Sequence, residues 1–366
     1  MKSAIGMTMK IENQYRVLVV IICLFAVQLV GCAAIGPPTV DRDRFDYVTA
    51  ISESWKRQTL LNLLKTRYLD APVFMDVTSV INQYALESEI TLNFSWQDIN
   101  TQGLEGRGMY TDRPTITYSP LMGENYARSL LKPLPLSAVL ILAQAGYPAD
   151  DVFRICLSSI NGLKNDRYRL ADQRKADPAF YEMLDLFRRV FDADGIAMRS
   201  REINSKRKMV LIFRQAMDAE QQIHVDRLKN LLGLSSDIWE FPVVHGRFAV
   251  SDQEVAVLCR SMLQVMVAYS SFIDVPASDL LEFRVRRGWH ETGGGSDHHR
   301  PLLRVHHGAS KPEDAFAVVP YRGHWFWIDD RDIHSKTMFN FLLILFSFTE
   351  RGRSEPEAPV ITVPTN

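Results

Sequence analysis

His290, His298, His299, His306 and His307, with Glu291 and Asp297 among them, are the densest run of metal-ligating side chains in the sequence. Imidazole nitrogens and a carboxylate suit zinc, and a catalytic zinc needs three such ligands held rigidly around one open position. The spacing argues against that rigidity. Most of the set lies on the stretch 286–301, which contains Gly293, Gly294 and Gly295, and neighbours on a strand, such as His306 and His307, point to opposite faces. No His-Glu-x-x-His is present. A polar surface loop is the expected role, and His298 and His306 are the candidate ligands should zinc bind.

Asp329, Asp330 and Asp332 form a second set, and paired carboxylates suit acid and base work. Beside them Tyr321, Trp325, Phe326 and Trp327 offer rings that stack on a sugar or a peptide. Alternation along an extended segment turns at least one ring inward, which leaves Trp325, Trp327, Asp329 and Asp330 as candidate binding residues. The simpler reading of the carboxylates is structural: Asp332 or Ser335 caps the helix that carries the apolar run 338–348, while Arg331 answers the neighbouring charge. Gly-x-Ser-x-Gly is absent, and neither Cys156 nor Cys259 has surroundings that mark a nucleophile, so catalysis is not expected.

The elements that must position these residues follow from periodicity. Residues 41–70 read as an amphipathic helix, with Val48, Ile51, Trp55, Leu60, Leu63 and Leu64 on one stripe and Pro72 ending it. Residues 73–96 alternate with period two, 115–119 repeat the pattern, and the intervening 97–113, with Gly103, Gly106 and Gly108, reads as a long mobile loop. Helices are expected at 123–131, 136–145, 149–163 and 177–193, with the basic stretch 164–176 as a solvated face. Residues 195–201 and 208–214 predict a hairpin and 218–232 a helix ended by Gly233. Segment 238–250 is extended, and Ser251 with Glu254 resembles a capping box opening a helix to Phe272. Short strands at 281–285 and 302–307, a hairpin of 316–321 with 325–328, and a helix at 335–350 complete the reading. The expected fold class is α+β, a helix-rich middle with antiparallel strands and hairpins on either side.

Composition bounds the function. With 46% apolar residues in 366, the chain can bury a core and form one large or two ordinary domains. A formal net charge of −1 and the lack of any Lys/Arg block argue against nucleic acid as a partner.

Lys2, Lys10 and Arg16 precede an apolar run at 17–30 that ends in Leu29-Val30-Gly31-Cys32. At ~1.5 Å per residue this run is too short for a hydrocarbon core of ~30 Å, so it reads as a secretion signal and not as a span. Its last four residues resemble the lipobox of bacterial lipoproteins. The resemblance implies diacylglyceryl transfer to the Cys32 thiol, cleavage after Gly31, and acylation of the new amino group by a chain such as palmitate. One acyl chain holds only marginally, at ~0.8 kcal/mol per buried CH₂, so several on one residue make a stable anchor. The plain alternative is a cleaved signal in which Cys32 is incidental. In Gram-negative lipoproteins an Asp after the Cys commonly retains the protein in the inner membrane; Ala33 and Ala34 instead imply the outer membrane, facing the periplasm. That compartment permits a Cys156–Cys259 disulfide, but each sits in an apolar pattern where a buried thiol acts as a small hydrophobe. Stretches 76–84, 159–163 and 327–332 resemble uncharacterised bacterial envelope lipoproteins, a likeness that brings no activity with it.

The expected regions are a signal at 1–31, a lipidated spacer at 32–40, α+β regions at 41–194 and 195–350, and a disordered tail at 351–366. The expected function is a membrane-anchored envelope lipoprotein that binds or scaffolds a protein partner without catalysis. The alternative is a metal-assisted hydrolase acting on envelope material through the histidine cluster.

Overall fold

The computed structural model describes residues 36–81, 84–94, 102–112, 115–121, 123–168, 173–203, 206–215, 218–288 and 301–349. Cys32, His298 and the tail 351–366 lie outside them. In chain order the elements are α1 (Gly36–Arg67), β1 (Phe74–Ile81), β2 (Tyr84–Phe94), β3 (Gln102–Asp112), β4 (Thr115–Leu121), α2 (Gly123–Leu131), α3 (Leu136–Gln144) and α4 (Ala149–Cys156). There follow β5 (Leu157–Ile160), β6 (Leu163–Lys164), β7 (Arg167–Tyr168), β8 (Gln173–Arg174), α5 (Pro178–Asp192), β9 (Ile196–Ile203), β10 (Lys206–Phe213), α6 (Ala219–Leu231) and β11 (Glu240–His245). The last elements are β12 (Val255–Cys259), α7 (Met262–Ser270), α8 (Ala277–Leu281), β13 (His306–Gly308), β14 (Ala315–Tyr321), β15 (His324–Asp329) and α9 (Ile333–Thr349). The α+β class expected from the pattern is the class observed.

Two units divide the chain. One takes Met1–Ser52 and Val77–Tyr118, the other Glu53–Asp76 and Ser119–Asn366. In the first, β2 and β3 pair antiparallel over their whole length, Tyr84 opposite Asp112 and Phe94 opposite Gln102. The loop expected at 97–113 is thus largely a strand. Its glycines carry no hydropathy signal, and Gly106 and Gly108 face Ile90 and Ser88 across a ladder that the backbone alone can make. The helix expected to begin at Asp41 already starts at Gly36; proline is tolerated in the first turn of a helix, where its missing N–H has no partner to lose.

The second unit is built on a six-stranded sheet in the order β6-β5-β12-β11-β10-β9. All pairs are antiparallel except β11 with β12. β5 and β6 come from before Asp194 and β9 to β12 from after it, so the division expected there falls inside one sheet. The helix expected at 149–163 stops at Cys156, and β5 continues the chain into the sheet, one strand in from its edge, where its end turns at Asn161-Gly162 with positive φ. The helix expected from Ser251 is likewise β12 followed by α7. Val255, Ala256, Val257 and Cys259 are buried, and an apolar run covered on both faces has no period to separate strand from helix. The capping box forms later, with Ser261 and Gln264 exchanging side-chain to backbone bonds at the start of α7. The solvated face expected at 164–176 is also corrected, since Asn165, Asp166 and Tyr168 are buried.

Phe153, Phe180, Phe187, Phe213, Phe241, Met266, Tyr269, Phe326 and Leu342 belong to one continuous core. Each fully buried Leu or Phe contributes ~1.5–3 kcal/mol. The β13-β15-β14 sheet lies over α9 through Phe316 on Phe339 and carries the chemistry described next.

Candidate functional site

The sheet formed by β13, β15 and β14 sorts the residues singled out in the sequence by parity. Trp325 and Trp327 lie on one face with His306 and Gly308, which pair with Trp327 and Trp325 respectively. The His306 ring lies 5.7 Å from that of Trp327 at 32°, and the Lys311 ammonium lies 5.9 Å from the Trp325 ring. A Cβ on Gly308 would come within 3.3 Å of the Trp327 indole, so the missing side chain is what lets that ring lie close over the backbone. Phe326 and Ile328 take the opposite face and are fully buried, so the alternation expected of these rings is the one found.

The aspartates separate from them. Asp329 accepts from the Arg331 N–H at 2.8 Å, and Asp330 holds the Lys336 ammonium at 2.7 Å. Asp332 accepts the Ser335 N–H at 3.0 Å and its hydroxyl at 2.7 Å, the cap expected before α9. Burial alone would raise the Asp332 carboxyl, but those two donors bring it below the usual carboxylate value. The His306 ring packs against Trp327, and among the described residues no group of three His, Cys, Asp or Glu side chains can hold a metal. Cys156 and Cys259 are free and buried; burial pushes the Cys259 thiol up to about 12 and Cys156 higher still, so neither is a thiolate at neutral pH.

The inner end of the same sheet holds a cluster the sequence did not announce. The Tyr68 hydroxyl, at the end of α1, donates to Asp279 of α8 at 2.7 Å, and Arg67, fully buried, donates to the Arg286 carbonyl. Burial and the Asp279 bond raise Tyr68 well beyond ordinary phenols, so it stays protonated. Tyr321, at the end of β14, crosses Tyr68 edge to face at 5.4 Å and donates its hydroxyl to Asp70, which also accepts from Arg322 at 3.0 Å. Those two donors, Tyr321 first, hold Asp70 below the usual carboxylate value. The Arg322 guanidinium lies 5.0 Å over the Tyr68 ring.

His307 and His324 belong to the same end of the sheet, with ring centroids 6.3 Å apart. Burial lowers the His307 imidazole; Asp274 and Asp279 pull it back up, and His324 and His306 push it down. The neutral ring can donate at one nitrogen and accept at the other. Two other buried cations serve the fold itself. Arg260 donates to the carbonyls of Arg154 at 3.0 Å, Ile155 at 3.1 Å and Asp166. Lys229 donates to Ser236 and Ile238 carbonyls at 3.0 and 2.8 Å with its ammonium 3.8 Å over Trp239.

Strain gathers at the cluster. Five non-glycine residues among those described have positive φ, and three of them, Leu69 (64°), Phe283 (56°) and Arg322 (46°), adjoin it. Leu69 follows Tyr68, Phe283 follows α8, and Arg322 turns the β14–β15 hairpin with Gly323. The strand expected at 281–285 is therefore corrected to a helix end: Phe283 N–H bonds Leu280 O at 3.3 Å and Arg284 N–H bonds Asp279 O at 2.9 Å. That pair of bonds closes a helix through a left-handed residue, a place glycine usually takes. Tyr68 and Asp279 are 211 positions apart, and left-handed leucine and phenylalanine have no sequence signature, so only the stop at Pro72 was a usable signal. No protein-family model, curated protein or solved structure matches the chain.

Proposed function

We propose that this chain is a bacterial envelope lipoprotein, held by lipid on Cys32 to the outer membrane and facing the periplasm, that binds an envelope partner and does not turn over a substrate. The observation that carries the reading is Leu29-Val30-Gly31-Cys32 closing an apolar run too short to span. No described helix is long and apolar enough to cross a membrane, which is compatible with a lipid tether without arguing for one.

Binding is supported by what the polar groups do. The carboxylates of Asp329, Asp330 and Asp332 serve turns and a helix cap, and Asp279 serves Tyr68. Trp325 and Trp327 share one sheet face, where their rings and the Lys311 ammonium offer stacking and charge to a partner. A photo-reactive residue at Trp325 or Trp327 in living cells tests this. One discrete adduct, lost when Lys311 is changed to Glu, supports it. Absence of any adduct from both positions, or stoichiometric zinc in the purified protein that is lost in His298→Ala and His306→Ala, overturns it.

A further inference from the structure

We infer that β2 and β3 form one hairpin of a transmembrane β-barrel, closed by several copies of this chain, with a charged lumen that passes cations. The inference rests on the outer-membrane address proposed for Cys32 and carries the chain through the bilayer that the tether only touches.

The antiparallel register sorts the two strands into unlike faces. Even-numbered positions share one face, among them Leu86, Ile90, Leu92 and Phe94 of β2 with Leu104 and Tyr110 of β3. Odd-numbered positions share the other, which holds Glu87, Glu89, Glu105 and Arg107. Every charged residue of the pair is on that second face except Asp112, which closes β3 opposite Tyr84. Each strand has 11 residues. At about 3.4 Å per residue and a tilt of about 45°, that gives a height of about 26 Å, which matches the ~25 Å apolar band of an outer-membrane barrel.

The edges select the occupant. Among the described strands, β2 and β3 pair only with each other, so a row of backbone N–H and C=O groups stands open along each outer edge. A two-stranded pair is marginal by itself in water, and Gly103, Gly106 and Gly108 weaken β3 further. A partner protein laid on the apolar face would leave both edges open, and a leaflet without neighbouring strands would leave them unbonded in hydrocarbon. Both needs are met at once when β3 of one copy lies beside β2 of the next, because hairpins repeated head to tail close a ring that has no edge. The odd-numbered face then lines the lumen. Arg107 stands opposite Glu89 there, which leaves Glu87 and Glu105 in surplus in every copy, a balance that favours cations.

The test uses the full chain, extracted from membranes in mild detergent and returned to vesicles of phosphatidylethanolamine with phosphatidylglycerol. An environment-sensitive fluorophore is placed at Ile90→Cys on the apolar face or at Thr91→Cys on the charged one; Cys156 and Cys259 are buried and stay unlabelled in the folded protein. The probe at 90 is expected to shift to the blue and to be quenched by bromine-bearing acyl chains, and the probe at 91 to be quenched by iodide from the water. In a planar bilayer the protein conducts, and its reversal potential in a potassium chloride gradient has the sign of a cation pore. Glu87→Gln with Glu105→Gln leaves Glu89 and Arg107 in balance on that face, and the expected reversal potential falls to near zero. Ile90→Lys lowers the assembled fraction at least about thirtyfold, while Thr91→Lys assembles as its parent does. Equal thermal unfolding of these two variants in detergent separates lost insertion from lost fold. Both probes in water on vesicle-bound protein overturn the inference. So does a blue shift at 90 without bromine quenching, which means protein covers that face, and so does an insulating bilayer over inserted protein. The mass of the same sample reads the tether separately: an acylated Cys32 with both probes in water overturns the barrel and keeps the tether, and an unmodified Cys32 with alternating probes overturns the tether and supports the barrel.

Discussion

Asp279 and Tyr68 show how much rides on single side chains. Asp279→Ala leaves a buried phenol with its acceptor gone, and the expected loss is about 1–3 kcal/mol of unfolding free energy, while Tyr68→Phe costs less because no donor is stranded. Phe283→Gly runs the other way, raising stability by about 1 kcal/mol as left-handed strain is relieved; thermal unfolding reads both. His307 sets a pH dependence. Burial holds its imidazole neutral below the ordinary 6.5, so as pH falls the unfolded chain takes up this proton first. Its contribution is fully present above about pH 6.5 and is lost on further acidification, and His307→Gln removes that slope from a stability profile measured between pH 7 and 5. Asp70 and Asp332 add a separate loss at lower pH, since both carboxyls are held below the ordinary 3.8 in the fold.

At the scale of elements, ends and gaps decide more than middles. Ser261→Ala removes the side-chain half of the capping box on α7, with an expected cost of about 1 kcal/mol. Gly308→Ala sets a methyl within 3.3 Å of Trp327, and because the indole is partly exposed it can tilt away. The expected result is altered tryptophan emission with a small loss of stability, and unchanged emission shows that β13 moves instead of the ring. The hairpin of β14 and β15 was legible because alternating rings flank Arg322-Gly323, and the cap on α9 because Asp332 stands three residues before Ser335. The strand β3 was not, because glycine contributes to a ladder through its backbone and leaves no mark in a hydropathy pattern. The turn that closes α8 reads as a strand at 281–285 because five residues are too few for a period to emerge.

For the whole molecule, the sheet that joins β5 to β12 places Cys156 and Cys259 in one buried core without a bond between them. Titration of the denatured, unreduced protein is expected to find both thiols, and the native protein neither, within minutes of adding a thiol reagent. Cys32→Ser is expected to leave the leader uncleaved and the protein without acyl chains, read by mass and by sedimentation with membranes. Retention of both processing and sedimentation in that variant removes the tether.

Some properties are written in consecutive residues, and the sequence alone determined those: the apolar run at 17–30 and its Leu-Val-Gly-Cys close, the α+β class, the aromatic hairpin and the cap at Asp332. Each depends on interactions within a few positions, where spacing and side-chain type are sufficient cause. Tertiary structure alone decided that Tyr68 meets Asp279, that Asp70 meets Tyr321 across 251 positions, and that an apolar run at 255–259 is a central strand. Such outcomes depend on which surfaces bury each other, and burial is a property of the assembled core that no local window contains.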